Sequence, residues 1–303
     1  MAEGAWDRLV EAGAGRADVE LAGFTTYKLG GPARYWFEVA DRSELASLSA
    51  AYAEEPLPVL VMGRGSNLVV SDLGFPGVVV RLGAGFGEYR VEPEVKASAA
   101  VSLPQLARAA VKAGRLGLEF LVGIPGTVGG AVRQNAGCFG REMADVIIRA
   151  EVYDLAGGLW SQLSPGELKM GYRVSSVQPH HIVTAAELRS TSGDPAAGEV
   201  AMREITRWRR DHQPGGTYNA GSVFKNPPGD AAGRIIDQLG LKGFRVGAAA
   251  VSDKHANFFV TMPGATATDV YRLVGAVAAR VRDATGVALE PEIQFVGEFE
   301  QEA

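Results

Sequence analysis

Ile124-Pro125-Gly126-Thr127-Val128-Gly129-Gly130-Ala131, running on to Gln134-Asn135-Ala136-Gly137, is the stretch on which the reading of this chain turns. Glycines at 126, 129, 130 and 137, set among apolar residues, make a poor strand and a poor helix, because glycine loses the most backbone freedom on ordering and packs nothing. Their use is to lay backbone amides along a flat or phosphorylated cofactor. Taken by itself the stretch also fits a buried irregular connection. Cys138, which follows it, reads as a small core residue and receives no role.

Sixty residues upstream, Gly63-Arg64-Gly65-Ser66-Asn67 follows the apolar run Pro58 to Met62. Two glycines let backbone approach a ligand, and successive N–H groups can form an anion-binding nest, with Ser66 and Asn67 adding short polar groups. On this segment alone a plain tight turn is the commoner outcome. Downstream, Asn219 to Pro227 sets Ser222 on a glycine turn with Lys225 and Asn226 close by. Such a serine can serve as an acid beside an anionic substrate, although a turn-capping serine is commoner.

Around these stretches the periodicity predicts three α/β pieces. Asp41 caps a helix to Glu54, with Glu44 three residues on, and strands follow at Pro58–Met62, Asn67–Val70 and Val78–Leu82, a βαβ-like unit. Ser102 caps a helix through Ala113, with Leu103, Leu106 and Ala110 on one face. Strand-like runs come at Val146–Ile148, Val152–Tyr153 and Ile182–Thr184. Helices are expected at Glu199–Asp211, Ala231–Leu239 and Asp269–Ala284, the last between strands at Asn257–Thr261 and Val287–Val296. Its Val270, Leu273, Val274, Val277 and Val281 carry the strongest helical spacing.

Composition narrows the class. The chain has 303 residues, 47% of them hydrophobic, a net charge of −5, 39 glycines and a single cysteine. Disorder is excluded, and so is a protein held on nucleic acid by phosphate neutralisation. One cysteine permits no intrachain disulfide and points to a reducing compartment. The opening MAEGAWDRLVEAG lacks a basic start and an apolar core, and no run of about 18 apolar residues occurs, so a cytoplasmic protein without membrane contact is expected. No Walker A loop, no G-x-G-x-x-G and no G-x-S-x-G are present. His180 and His181 lack an H-E-x-x-H context, and no metal is expected.

Eight motifs in fixed order then carry a resemblance. They are TTYKLGGPARYWFE (Thr25–Glu38), GRGSNLVVSD (Gly63–Asp72), IPGTVGGAV and NAG (Ile124–Gly137), GYRVSS (Gly171–Ser176), AGSVFKNP (Ala220–Pro227), VSDKHANFFV (Val251–Val260) and LEPEIQFVG (Leu289–Gly297). From about residue 20 onward the chain resembles the UDP-N-acetylenolpyruvoylglucosamine reductase family, in the shorter subtype without the inserted tyrosine loop. The resemblance implies an α+β (mixed α/β) protein, with an FAD-binding fold similar to the vanillyl-alcohol-oxidase group plus a C-terminal α/β substrate domain. It places two FAD subdomains at 1–82, joined by the last strand at about 286–303, and at 83–205, and a substrate domain at 206–285. It implies non-covalent FAD, NADPH as co-substrate and UDP-N-acetyl-enolpyruvoylglucosamine as substrate, with the protein a monomer.

Residue by residue, the resemblance implies that Gly63, Arg64, Gly65, Ser66, Asn67, Ile124, Pro125, Gly126, Thr127, Gly129, Gly130, Ala131, Asn135, Ala136 and Gly137 hold the cofactor. Arg173 matches the arginine at the substrate carboxylate, Ser222 the proton donor to C2, and Glu292 the carboxylic acid near the end of the chain. Glu290 is two residues away on the same expected strand face, so periodicity does not choose between them. Burial beside an enolate would raise such a carboxyl's pKa and let it donate a hydrogen bond. Lys225 and Asn226 are expected at the diphosphate, and Lys254, His255 and Asn257 in the substrate domain, a lone histidine being more often structural. Arg133-Gln134 and Gln294 depart from the family pattern. Two other readings stay open: a flavin oxidase of the same fold, and a nucleotide-sugar-binding flavoprotein without turnover.

Overall fold

The chain begins with structure that the sequence reading left unassigned. A helix at Ala5–Glu11 buries Trp6 completely, and the indole Nε1 donates to the Glu55 carbonyl at 2.8 Å. The structure, a computed structural model describing residues 4–299, places the remaining main elements as follows. The helices are α1 (Ala5–Glu11), α2 (Arg42–Glu54), α3 (Leu103–Lys112), α4 (Val128–Gln134), α5 (Pro195–His212), α6 (Ala232–Gln238) and α7 (Ala267–Thr285). The strands are β1 (Arg16–Glu20), β2 (Pro32–Val39), β3 (Val59–Val61), β4 (Leu68–Val70), β5 (Phe75–Leu82), β6 (Tyr89–Arg90) and β7 (Val95–Ser98). They continue with β8 (Ile147–Asp154), β9 (Leu159–Leu163), β10 (His181–Leu188), β11 (Arg245–Val246), β12 (Ala249–Val251), β13 (Phe259–Thr261) and β14 (Gln294–Val296). The ends of the expected first segment, residues 1–3 and 300–303, lie outside the described residues.

Two compact units form: residues up to 17 with 35–63 and 77–209, and residues 18–34 with 64–76 and from 210 onward. In the first, β5 lies between β2 and β3, with β3 parallel to β5 through Val59↔Val78 and Val61↔Val80. Asp41 caps α2 as expected, accepting from the Ser43 amide at 2.8 Å. Trp6, Tyr35, Phe37, Leu45, Leu48, Val78 and Val80 make its smaller core. A five-stranded antiparallel sheet, ordered β9-β8-β10-β7-β6, carries the larger core with α3 and α4. The two runs expected at Val146–Ile148 and Val152–Tyr153 are one strand, β8, with register shifts between Ile147 and Arg149 and between Glu151 and Val152.

One expectation fails instructively: the glycine-rich stretch is not irregular throughout, since α4 runs through it. Thr127 caps this helix, accepting from the Gly130 amide at 3.5 Å, and Gly129 lets it pack close against Ala99, because a Cβ there would stand 2.9 Å from the Ala99 Cβ. Here glycine is selected by close packing, which outweighs its low helix propensity.

In the second unit, β11-β12-β13 form an antiparallel sheet against which α7 packs, and β14 pairs parallel with β4 through Gln294↔Leu68 and Val296↔Val70. Thr266 begins α7 with a capping box to Asp269, and Asp72 adds a second cap, its carboxylate accepting from the Ala267 and Thr268 amides at 2.8 and 2.9 Å. The strand expected at Val287–Val296 is shorter than the apolar pattern suggested. Pro291 has no N–H, and the Glu292 amide is drawn to the Val223 carbonyl at 2.7 Å, so ladder pairing starts only at Gln294. Glu290 and Glu292 therefore do not share a strand face. The strand expected from Asn257 likewise starts at Phe259.

Replacing Trp6 by Ala is expected to destabilise the protein by about 3–5 kcal/mol, the usual cost of removing a fully buried indole. Urea denaturation followed by tyrosine and tryptophan fluorescence measures it; a loss under about 1 kcal/mol would show that α1 is not part of the folded core.

Candidate active site

The first unit assembles one set of the expected residues. Gly171 and Val174 pair with each other through N–H···O bonds of 3.0 and 3.2 Å, which puts Tyr172-Arg173 at the tip of a tight turn. Arg173 adopts φ +59°, a left-handed conformation that costs a non-glycine residue free energy. Its Nη2 donates to the Gly137 carbonyl at 3.1 Å, and its guanidinium stands 4.9 Å from the Tyr172 ring centroid. Asn135, fully buried, fastens this turn: Nδ2 donates to the Gly171 carbonyl and Oδ1 accepts from the Ala144 amide, both at 2.8 Å. The arginine is thus fastened to the end of the glycine-rich stretch. Arg133, one of the departures from the family pattern, donates to the Gln178 carbonyl at 3.0 Å, and its own carbonyl accepts from Ser175 Oγ at 2.6 Å. Its role is to brace the segment after Arg173.

Cys138 lies beside this turn. Burial pushes its thiol up to about 11 despite Arg209 and Arg173 nearby, so it is a neutral thiol with its Sγ donating to the Phe120 carbonyl at 3.0 Å. Tyr172 and Arg209 were passed over in the sequence, the latter because Trp208-Arg209-Arg210 reads as an ordinary solvated helix end. At the far end of β8 and β10, Asp154, His180 and His181 gather their donor atoms within 4.8 Å, but His181 Nδ1 already accepts from the Gln178 amide.

The second unit assembles the other set. Ser222 sits on a segment held from both sides. Ser222 bridges to Phe258, the Val223 amide donates to the Asn257 carbonyl at 2.9 Å, and the Val223 carbonyl receives the Glu292 amide. Ser222 and Glu292 are therefore fixed to one another through a single residue of backbone. The Ser222 hydroxyl is half-exposed and makes no hydrogen bond among the described residues. Asn67 adds the loop: its Nδ2 donates to the Glu292 carbonyl at 3.0 Å, and its own carbonyl accepts from the Gln294 amide at 2.9 Å. Gln294, the other departure, is exposed and contributes its backbone.

Five further residues expected at the substrate take distinct places. Lys225 Nζ stands 2.5 Å from Glu290 Oε1, so Glu290, largely exposed, is spent on that pair, whereas Glu292 is half-buried. Asn226 Oδ1 accepts from the Ala232 amide at 3.1 Å and starts α6. Asn257 is buried and spends both ends on Phe224, Oδ1 accepting at 2.9 Å and Nδ2 donating at 2.8 Å. Lys254 donates to the Arg210 carbonyl at 2.6 Å, and His255 Nδ1 accepts from the Asn257 amide at 3.2 Å, with burial lowering its pKa. These contacts hold the Ser222 turn in place.

The glycine loops suit a cofactor that needs backbone close at hand. A Cβ at Gly63 would stand 2.8 Å from Thr127 Oγ1, so only glycine leaves that threonine its space, and Gly65 takes φ +60°. No helix among the described residues is long and apolar enough to cross a membrane.

Comparison with known proteins gives the same picture over nearly the whole chain. A family model described as an FAD binding domain matches residues 33–164, and one described as the UDP-N-acetylenolpyruvoylglucosamine reductase C-terminal domain matches 213–296. UDP-N-acetylenolpyruvoylglucosamine reductase 2 of Symbiobacterium thermophilum is 47% identical over 90% of this chain and 89% of its own. The reductase of Rubrobacter xylanophilus is 40% identical over 98% of this chain and 100% of its own. The crystal structure of the Thermus caldophilus enzyme superposes with a TM-score of 0.82 at 39% identity, covering 93% of this chain and all of that one.

Proposed function

Because the chain belongs to the UDP-N-acetylenolpyruvoylglucosamine reductase family, we propose that Arg173, Ser222 and Glu292 carry the substrate half of its reaction. The protein is an FAD-dependent oxidoreductase that reduces the enolpyruvyl ether of UDP-N-acetylglucosamine to UDP-N-acetylmuramate with NADPH, in peptidoglycan precursor synthesis. The residues of the two glycine loops, Gly63–Asn67 and Ile124–Gly137, would hold FAD. When bound there, FAD supplies the hydride chemistry, accepting hydride from NADPH and delivering it to C3 of the enolpyruvyl group.

What the chain's own groups do follows from charge. Addition at C3 drives negative charge onto the substrate carboxylate, as an enolate. Arg173 binds that carboxylate through its permanently charged fork, and Glu292, protonated, donates a hydrogen bond to it. Ser222 gives its hydroxyl proton to C2; a free hydroxyl is a weak acid, so the enolate must be held against it. The observation that carries this reading is the Glu292 amide bonded to the Val223 carbonyl, next to a Ser222 hydroxyl without a partner among the described residues. Lys225 and Asn226 take the diphosphate, Lys254 and His255 belong to the substrate domain around it, and Asn257 acts as a positioning residue for the serine turn. FAD at 1–82 and 83–205 and substrate at 206–285 is the division we propose, supported by the two family matches, with the protein working as a cytoplasmic monomer.

The purified protein is expected to be yellow, to bleach with NADPH under nitrogen and to recolour on addition of the enolpyruvyl substrate. Acid precipitation should leave all the flavin in the supernatant, since neither loop offers a linking His or Cys. Recolouring by oxygen alone, with no response to substrate, would favour a flavin oxidase.

A further inference from the structure

We infer that the Thr26 side chain is a direct ligand of the bound flavin dinucleotide, completing the Gly63–Asn67 loop from a segment remote in sequence. The inference rests on the FAD reading above.

Thr25-Thr26-Tyr27 presents three hydroxyls in a row, and the structure treats them differently. Thr25 Oγ1 donates to the Leu29 carbonyl at 2.9 Å, and the fully buried Tyr27 hydroxyl donates to the Phe259 carbonyl at 3.1 Å. Thr26 Oγ1, between them, is equally shut off from solvent and has no hydrogen-bond partner among the described residues. A buried hydroxyl with nothing to bond is a standing cost, and native proteins keep such groups where a ligand or ordered water completes them.

Its place identifies the ligand. The Thr26 amide donates to the Gly65 carbonyl at 3.3 Å, so the threonine is fastened to the centre of the cofactor loop at its positive-φ residue. Thr261 Oγ1 is also buried without a partner, but its backbone is bonded to Tyr218 and not to a glycine loop. A dinucleotide presents phosphate and ribityl oxygens, the acceptors that a single O–H donor beside a glycine loop suits.

Thr26→Val keeps shape and branching and removes only the hydroxyl. Its FAD dissociation constant, read from the rise of free-flavin fluorescence on diluting the holoprotein, is expected to increase about tenfold, and Thr26→Ser should stay near wild type. Thermal melts of the flavin-stripped full chain should show Thr26→Val as stable as wild type or more so, because an unsatisfied polar group has been removed. Equal FAD affinity in Thr26→Val and wild type would overturn the inference, as would a loss of stripped-chain stability that accounts for the weaker binding. A wild-type protein that holds no FAD would overturn the cofactor reading itself.

Discussion

Ser222→Ala should leave flavin reduction by NADPH at its wild-type rate and slow reoxidation by the enolpyruvyl substrate by about 10²-fold or more, the usual weight of a positioned general acid. The serine is suited to this test because its hydroxyl makes no hydrogen bond among the described residues, so the substitution breaks no contact there. The turn that carries it is fixed by backbone, through Asn257 and Glu292 on either side of Val223. Alanine should therefore fold as the parent does. Stopped-flow absorbance at the flavin band separates the two half-reactions. Equal slowing of both would assign Ser222 to binding or folding instead.

Glu292→Gln is expected to cut reoxidation by about 10²-fold while substrate still binds, since glutamine keeps the size but gives up the acid. Glu290→Gln should change either half-reaction by no more than about threefold, as exposed ion pairs contribute little. Periodicity alone left these two carboxylates equivalent, and the structure separates them. Glu290 is turned outward onto Lys225, whereas Glu292 has its amide on the Val223 carbonyl and its carbonyl on Asn67 Nδ2. Substrate binding measured by flavin difference spectra, alongside the reoxidation rate, distinguishes the variants. A strong effect at Glu290 with a mild one at Glu292 would reverse the assignment.

What the sequence made legible was whatever depends on neighbours a few residues away. The α7 stripe, the Asp41 cap and the Leu103–Ala110 face all depend on i, i+3 and i, i+4 relations, and each formed where expected within two or three residues. The errors fall where a distant partner decides. Glycine at 129 was read as breaking a helix, yet it fits that helix against Ala99. The last strand is shorter by its first seven residues because Val223, some seventy residues upstream, captures the Glu292 amide. Trp6 was invisible because its packing partners, Tyr35 and Phe37, lie beyond any local window. For the site, the motifs nominated Arg173, Ser222 and Glu292, but only the coordinates show Asn135 and Asn257 serving as fasteners for the two turns. Nothing local distinguishes a buried asparagine that binds backbone from one that binds substrate.

The pairing of β14 with β4 has a consequence for how the protein is made. Asn67 and Glu292 are 225 residues apart, and the bond between them closes a loop of that length. During synthesis from the N-terminus, β4 and the loop before it leave the ribosome long before their partner exists. That edge must wait, unpaired, until Gln294 to Val296 have been made. Closing so long a loop costs chain entropy that no local contact returns, and contacts of such sequence separation slow folding. The nascent chain therefore carries an open strand edge while the intervening residues are made, a period in which it is exposed to chaperones and to neighbouring chains. A variant truncated after Pro291 would lack both Glu292 and β14, and with them the backbone partners that Asn67 holds.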